Sequence, residues 1–178
     1  MGLLDPSDMP RVLGTMVPAS FHLVTRDPAP LAGMEYPRWE GLSWSALAAL
    51  GLVHVVCLTD DACAYDPSPL RSPVCIRLQD LASGASPKNP SREEKKVRQA
   101  AAEVLAWLQA GEGVVIHCEG GTGRTGTVLG CVLRGLGYPL DEVLVYPDRI
   151  TKARGREKWP ESDWQAAVVR RYVPQSQV

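Results

Sequence analysis

No apolar run in this sequence of 178 residues approaches the roughly 18 residues that a membrane-spanning helix requires. The net charge is −1, so no overall positive field would draw the chain to nucleic acid or to an anionic membrane. The first ten residues have neither the basic nor the apolar region of a signal peptide, and Pro6 stands where a myristoylation signal needs Ser or Thr. We therefore expect a globular, cytoplasmic protein that binds neither a membrane nor nucleic acid.

The cysteines have the pattern of neither a disulfide framework nor a zinc motif. The five residues are odd in number and form no CxxC pair and no Cys/His spacing typical of zinc. Several lie in apolar runs, where a reduced cysteine packs as a small hydrophobic residue. We therefore expect reduced thiols in a reducing compartment, and neither a metal nor another cofactor. The cysteines are Cys57, Cys63, Cys75, Cys118 and Cys131.

Phenylalanine occurs once, whereas glycine and proline, with 16 and 15 residues, are frequent enough to predict many tight loops. The length suits one domain with a substantial core, and 45% hydrophobic with 22% charged residues is ordinary for a globular protein. We expect residues 1–178 to form a single domain, with residues 1–10 and 174–178 loosely held.

Short apolar runs alternate with segments of helical periodicity along the chain. Strands are predicted at residues 21–25, 53–58, 74–78 and 113–118, and helices at residues 44–50, 91–109, from about 124 to 135 or 137, and at 162–172. Residues 30–37 have the composition of a turn-rich segment, and Pro147 leaves open whether one kinked helix or two short ones precede residue 155. The alternation predicts an α/β fold with a mostly parallel sheet.

Two of these helices have sequence signals at their ends. Ser43 is a plausible N-cap for the first helix, and Gly51 is a plausible stop. Ser91, followed three residues later by Glu94, has the spacing of a capping box for the second helix.

The stretch VVIHCEGGTGRTGT, residues 114–127, places Cys118 where a buried strand gives way to a glycine-rich turn and a helix. Parallel sheets have their ligand sites at the carboxyl ends of strands. The turn's glycines allow successive backbone amides to face inward, and the helix N-terminus adds positive potential. Arg124 can donate two hydrogen bonds to two oxygens of a phosphate-like anion. Such a site would bind a tetrahedral dianion and favour the thiolate of Cys118, a nucleophile.

The segment HCEGGTGRTG, residues 117–126, matches the HCxxGxxR[ST] signature, and the chain is identified by it as a member of the cysteine-dependent protein tyrosine and dual-specificity phosphatase superfamily. Three further stretches resemble segments of small family members: PLAGMEYP, ALAALGLVHVVCLTDD and WPESDWQAAVVRRYV. The resemblance implies a phosphatase-type fold, hydrolysis through a cysteinyl-phosphate intermediate and no metal. The sequence has neither GxGxxG in place nor the Gly-Lys-Ser/Thr of an ATP-binding loop.

The resemblance also implies roles for individual residues. Cys118 would attack phosphorus, while Arg124 and the loop would bind the phosphoryl oxygens. Thr125, or alternatively Thr127, would supply a hydroxyl that helps expel the thiolate, and His117 would orient the loop. Gln165 resembles a glutamine that positions water, although it could equally be an exposed helix residue. The loop residues are Glu119, Gly120, Gly121, Thr122 and Gly123.

A carboxylic acid on a loop is needed to protonate the leaving group and then to activate water. By resemblance Asp80 stands where the family has this acid, after a predicted strand and at the start of a Gly/Ser/Pro-rich loop. Asp60, Asp61 and Asp66 are alternatives, and the first two could simply cap a strand.

The substrate suggested by these features is a phosphorylated protein or peptide. The loop has no lysine of the kind that phosphoinositide phosphatases of the superfamily use to hold extra phosphates, and a short chain of this family tends to have a shallow pocket. We therefore expect hydrolysis of phosphotyrosine and, in a shallow pocket, of phosphoserine and phosphothreonine. The alternatives are a phosphatase of a nucleotide, RNA end or phosphoinositide, and a phospho-binding module with little turnover.

Two further features have a functional and a plain structural interpretation. Cys57, Cys75 or Cys131 could form a reversible disulfide with Cys118, although core packing is the simpler role. The charged run RITKARGREK, residues 149–158, could steer phosphorylated partners or could be a solvated face.

Overall fold

A five-stranded sheet with five helices organises the computed structural model of the protein, which describes residues 2–5, 20–38, 42–60, 63–156 and 158–173. The strands are β1 (His22–Thr25), β2 (Leu31–Met34), β3 (Leu52–Cys57), β4 (Val74–Cys75) and β5 (Gly113–His117), and the helices are α1 (Trp44–Ala49), α2 (Pro90–Gln109), α3 (Gly123–Gly135), α4 (Leu140–Ala153) and α5 (Asp163–Arg171).

The strand order is β1-β2-β5-β3-β4, and only the β1-β2 pair is antiparallel. The predicted α/β class with a mostly parallel sheet is therefore confirmed. The parallel register aligns Met34, His117, Cys57 and Cys75, the last residues of their strands, along one edge of the sheet. The carboxyl ends of four neighbouring strands thus meet where the loops of the site begin.

Each face of the sheet is covered by its own hydrophobic core. Val114 and Ile116 of β5 face a large core shared with α2, α3, α4 and α5, whereas Val115 faces a smaller core beside α1. This alternation follows from the two-residue period of a strand. Because both faces of the sheet are covered, successive residues of β5 are all buried, which explains the continuous apolar run from which this strand was predicted.

The structure confirms most of the predicted elements and corrects three details. Ser43 caps α1 and Gly51, with φ of 88°, ends that turn as expected. The predicted capping box at Ser91 is wrong: Asn89 is the N-cap of α2, and its side chain accepts a hydrogen bond from the backbone N–H of Arg92. Pro90 occupies the first turn, where its missing N–H is harmless.

The segment at residues 30–37, expected to be turn-rich, contains β2, and β4 is two residues long rather than five. The glycine and prolines in and around β2 are typical of a turn, so the sequence does not indicate a strand there. The strand is stabilised by pairing on both sides, with β1 and β5. Pro147 lies within the single helix α4. Residues 6–10 and 174–178, expected to be loosely held, lie outside the described residues. No described helix combines the length and apolar character needed to cross a membrane.

Candidate active site

Cys118 directly follows β5 and is only 2% exposed, within the core that underlies α2 and α3. Five residues later α3 begins at Gly123, so the thiol lies between the end of a central strand and the start of a helix. This is the arrangement that the sequence predicts, and it directs the positive end of the helix dipole towards the loop. The loop between the two elements therefore determines what can bind beside the sulfur.

Three successive carbonyls of this loop accept hydrogen bonds from outside it. The oxygen of Glu119 accepts from the N–H of Tyr36 at 3.1 Å. The guanidinium of Arg154 donates to the oxygens of Gly120 and Gly121 at 3.1 and 3.0 Å. In a trans peptide the N–H points opposite to the C=O, so carbonyls held on the outside turn the next three amides to the other side. Such inward amides are suited to binding an anion, and we call the concavity that they line the cradle.

Arg154 is therefore a site residue that the sequence analysis missed. It lies in the charged run of residues 149–158, whose sequence indicates only a steering patch or a solvated face. Burial nevertheless lowers the pKa of its guanidinium. A charged run alone could not distinguish it from its exposed neighbour Lys152, which pairs with Asp148. Its distinguishing feature is a tertiary contact with loop carbonyls more than thirty residues away.

The loop glycines differ in what they tolerate. Gly121 has φ of 66°, and a Cβ there would lie 2.6 Å from the backbone of Met34. A Cβ at Gly123 would collide with the carboxylate of Glu161, whereas one at Gly120 would meet nothing within 4 Å. Close approach of the loop to β2 and to Glu161 therefore requires glycine at two of the three positions.

Arg124 and Asp80 lie together in the structure and form a hydrogen-bonded ion pair. Nη2 of Arg124 donates to Oδ2 of Asp80 at 2.9 Å, and Nη1 lies 3.4 Å from the oxygen of Leu78. The arginine side chain is 8% exposed and the aspartate 52%, so the pair connects the buried cradle with solvent. The other oxygen of Asp80 accepts from the N–H of Ala82 at 2.9 Å, which orients the carboxyl group.

The alternative acids have other surroundings. The carboxylate of Asp66 accepts a hydrogen bond from the backbone of Ser68 in an exposed turn. Asp60 is exposed at the end of β3, and Asp61 lies outside the described residues. Among the described candidates, the contact with Arg124 distinguishes Asp80.

The two candidate threonines differ in the use of their hydroxyls. Thr127 donates to the oxygen of Gly123 at 2.7 Å, one turn back along α3. The hydroxyl of Thr125 is fully buried and has no hydrogen-bond partner among the described residues. A buried hydroxyl normally has a hydrogen-bond partner. Because the Thr127 hydroxyl already has one and the Thr125 hydroxyl does not, Thr125 is the one available to a reacting group. Thr122 is the N-cap residue of α3.

His117 is fully buried, and its Nε2 shares a hydrogen bond of 2.5 Å with the hydroxyl of Tyr65. Burial lowers the pKa of His117 to about 4, and the charge of Arg124 adds to this, while the backbone of Cys118 opposes it. The ring is therefore neutral near pH 7. This environment suits a positioning residue beside the cysteine, and Tyr65 is a contact that sequence reasoning missed.

Gln165 is buried beneath the loop, not exposed on its helix. Its Oε1 accepts from the backbone N–H groups of Glu161 and Ser162, closing a capping box at the start of α5. Its Nε2 would lie 2.8 Å from a Cβ at Gly123, so the amide touches the loop. The glutamine oxygen is thus occupied by a helix cap, and only its amino group faces the loop.

Glu161 is a second carboxyl group of the site that the sequence did not reveal. It contacts the backbone of Gly123 and lies near Asp80 and Arg124. Burial raises the pKa of Glu161, and the negative charge of Asp80 raises it further, against the opposing contacts of Gln165, Arg124 and Gly123. The loop before α5 thus brings an acid to the N-terminus of α3.

At the rim the acidic residues are paired with arginines. Glu119, expected among the phosphate-binding residues, forms an ion pair with Arg38. Glu35 pairs with Arg156 at 2.9 Å on the same side of the loop, where Arg154 also lies. The backbone carbonyl of Glu119 is held outside the cradle by Tyr36, and its carboxylate is directed towards Arg38.

Comparisons with known proteins identify the family and the fold. Residues 20–168 match the model of a family described as the Swiss Army Knife protein, DSP-PTPase phosphatase domain (PTP-SAK). The core catalytic domain of the PP-IP phosphatase SIW14 from S. cerevisiae is 18% identical, with a TM-score of 0.63 over 90% of this chain and 89% of that one. Human DUSP28 is 18% identical, with a TM-score of 0.60 over 89% and 96%.

P. aeruginosa TpbA, solved in complex with pTyr, is 18% identical, with a TM-score of 0.58 over 88% of each chain. At these identities the similarity to solved structures establishes the fold alone. The comparison with curated proteins gives no match.

Proposed function

The chain belongs to the DSP-PTPase phosphatase domain family, within the cysteine-dependent phosphatase superfamily, and on that premise we propose that it is a phosphoprotein phosphatase acting on phosphotyrosine, and on phosphoserine and phosphothreonine where the pocket admits them. The observation that carries the proposal is the position of Cys118 and Arg124 on one glycine-rich loop, with Asp80 hydrogen-bonded to that arginine. The three groups supply a nucleophile, an anion clamp and a proton carrier.

In the first step the Cys118 thiolate attacks phosphorus, an S–P bond forms and the P–O bond to the leaving group breaks. Asp80 gives its proton to the departing oxygen. Arg124 and the loop amides hold the three other phosphoryl oxygens throughout, where charge is largest in the transition state.

In the second step water attacks the phosphorus of the cysteinyl-phosphate. Asp80, now deprotonated, takes a proton from that water, and the S–P bond breaks to release inorganic phosphate and the thiolate. The buried hydroxyl of Thr125 is the group we assign to hydrogen-bond the departing sulfur. His117 and Arg154 act through the loop and are positioning residues.

The charges at the rim support a substrate with a single phosphate. Arg38 and Arg156 are each paired with a glutamate, and Arg154 donates hydrogen bonds to carbonyl oxygens of the loop. An inositol polyphosphate needs several uncommitted cations outside the cradle, and these three arginines already have acceptors. A phosphotyrosine peptide needs only the cradle itself, and the complex of TpbA with pTyr shows a protein of this fold holding that group.

The test is hydrolysis of an aryl phosphate in the presence of a metal chelator, followed by a panel of phosphotyrosine, phosphothreonine and inositol phosphate substrates. We expect turnover that needs no added metal and persists in the chelator, no turnover by Cys118→Ser, and retained vanadate binding by that variant. A phosphotyrosine peptide should have the highest kcat/KM. A higher kcat/KM for an inositol phosphate would indicate that the same chemistry acts on a non-protein substrate. Absence of turnover with every substrate would indicate a phospho-binding module.

A further inference from the structure

Three cysteines outside the catalytic loop converge at the sheet edge. The sulfur atoms of Cys57, Cys63 and Cys75 all lie within 4.8 Å of one another, and we call these residues the thiol cluster. Cys57 and Cys75 are register partners at the ends of β3 and β4, so their side chains share one face of the sheet. Cys63 reaches them from the loop after β3. The three cysteines are separated by five and eleven residues, spacings that match no zinc motif, so the cluster could not be predicted from the sequence.

The geometry points to a metal site, and we propose that the thiol cluster binds one Zn²⁺ ion through three thiolates. Zinc bonds to thiolate sulfur at about 2.3 Å in tetrahedral geometry, which places bound sulfurs roughly 3.8 Å apart. The three sulfurs therefore need to approach by no more than about 1 Å. Thiolates are the ligands that select zinc over the hard cations calcium and magnesium. The fourth tetrahedral position is left to water.

Exposure within the thiol cluster follows a gradient that provides an entry path for the ion. Cys57 is buried, Cys63 is half-buried and Cys75 is exposed. The hydroxyl of Thr59 lies 3.2 Å from the sulfur of Cys57 and can donate to a thiolate there. A purely structural packing role accounts for Cys57, but it does not account for an exposed thiol directed at two others.

The thiol cluster is separate from the nucleophile but is connected to its neighbour. Cys118 packs in the core beneath α2 and α3. Cys57 is the register partner of His117, so its side chain shares the face of the sheet that carries His117, and Tyr65 packs against the smaller core on that face. The Tyr65 hydroxyl is within hydrogen-bonding range of Cys63 and shares the 2.5 Å hydrogen bond with His117. A zinc ion at the thiol cluster would therefore fix the loop that carries Tyr65, and through it the ring preceding the nucleophile. Its role is positioning, and the chemistry at phosphorus does not pass through it.

The experiment is to purify the full chain under reducing conditions without a histidine tag, incubate it with ZnCl₂, desalt it and measure zinc by mass spectrometry. We expect one equivalent per chain in the wild type and in the matched controls Cys118→Ser and Cys131→Ser. Cys75→Ser, at an exposed position, and Cys63→Ser, on a loop, should each lower zinc affinity by at least about 100-fold in competition with a chromophoric chelator. Circular dichroism checks that these variants are folded.

Cobalt provides a second readout that is independent of turnover. Co²⁺ added to the metal-free wild type should give thiolate-to-metal charge-transfer absorption, and Cys63→Ser should lose it. The proposal is overturned if the wild type retains no zinc, if Cys118→Ser removes it, or if both thiol-cluster variants keep full affinity. Because metal content is measured, these outcomes are distinct from failure of the proposed phosphatase activity.

Discussion

Arg124 and Asp80 are 44 residues apart in the sequence and 2.9 Å apart in the structure, joined by a hydrogen bond from Nη2 to Oδ2. The arginine belongs to the helix that follows the nucleophile, and the aspartate to the loop after β4. The bond places a carboxyl group beside the guanidinium that would clamp a phosphoryl group. The leaving oxygen of a phosphate bound there would lie within reach of this carboxyl group.

Asp80→Asn should reduce kcat by about two to four orders of magnitude, the usual contribution of general acid catalysis. The loss should be largest for alkyl phosphates and smallest for aryl phosphates with acidic leaving groups, because those need no proton to depart. Steady-state kinetics over a series of leaving groups measures this. Asp66→Asn is the matched control and should leave kcat unchanged, since Asp66 is an exposed turn residue. Equal loss in both variants would refute the assignment of the acid.

Arg154→Gln should lower kcat/KM by up to about 10²-fold, although Arg154 is assigned no contact with substrate. The variant loses the donors to the oxygens of Gly120 and Gly121, so the amides that follow are no longer held inward. Weaker inhibition by vanadate should accompany the loss. Lys152→Gln, two residues away in an exposed ion pair, should behave as wild type. If the two variants are indistinguishable, Arg154 does not organise the loop.

Gly121→Ala should destabilise the protein by about 1–3 kcal/mol, since it forces a side chain into φ of 66° and against the backbone of Met34. Gly120→Ala is the comparison on the same loop, because a Cβ there meets nothing within 4 Å. Its free energy of unfolding should stay within about 0.5 kcal/mol of wild type. Urea denaturation of the two variants checks this, and an equal effect at both positions would contradict the described loop conformation.

The free energy of unfolding should fall as the pH is lowered from about 6.5 towards 4. Burial lowers the pKa of His22 to about 3, with a further contribution from the charge of Arg154, and lowers that of His117 to about 4. Both rings are thus neutral in the folded state, while in the unfolded chain they take up protons below about pH 6.5. The unfolded state binds more protons in this window, so stability rises with pH, by up to roughly 1.4 kcal/mol per unit for each ring.

The variant His22→Gln isolates one of these contributions. Between pH 6 and 4 its free energy of unfolding should change with pH less steeply than that of the wild type. The difference in slope should be about that produced by the uptake of one proton on unfolding. Denaturation at several pH values gives both slopes. Identical slopes would show that His22 is not held neutral by the fold.

The sequence was sufficient for the class of fold and for the centre of the site because local signals coincide there. A β-branched run, a glycine-rich turn and the HCxxGxxR[ST] pattern all lie within residues 113–127, so Cys118 and Arg124 could be placed without long-range information. Strand β2 was missed because its stability comes from pairing with two neighbours and not from its own residues.

Residues whose role depends on a distant partner were also missed. Arg154 reads as one charge in a basic run, Glu161 as an acidic residue before a helix, and Tyr65 as an isolated aromatic. Each acquires its place only when the loop before β4, the end of α4 or the loop before α5 folds back against the nucleophile loop. For the same reason Gln165 could be suggested by resemblance, but its capping role and its burial could not.

The measurement that tests the account most directly is detection of the covalent intermediate. The wild type is mixed with an aryl phosphate in the presence of a chelator, quenched in acid within milliseconds, digested and analysed by mass spectrometry. The account predicts one phosphoryl group on the peptide that contains Cys118, absent from Cys118→Ser. Rapid turnover with no phosphorylated Cys118, or with the phosphoryl group on another residue, would contradict it.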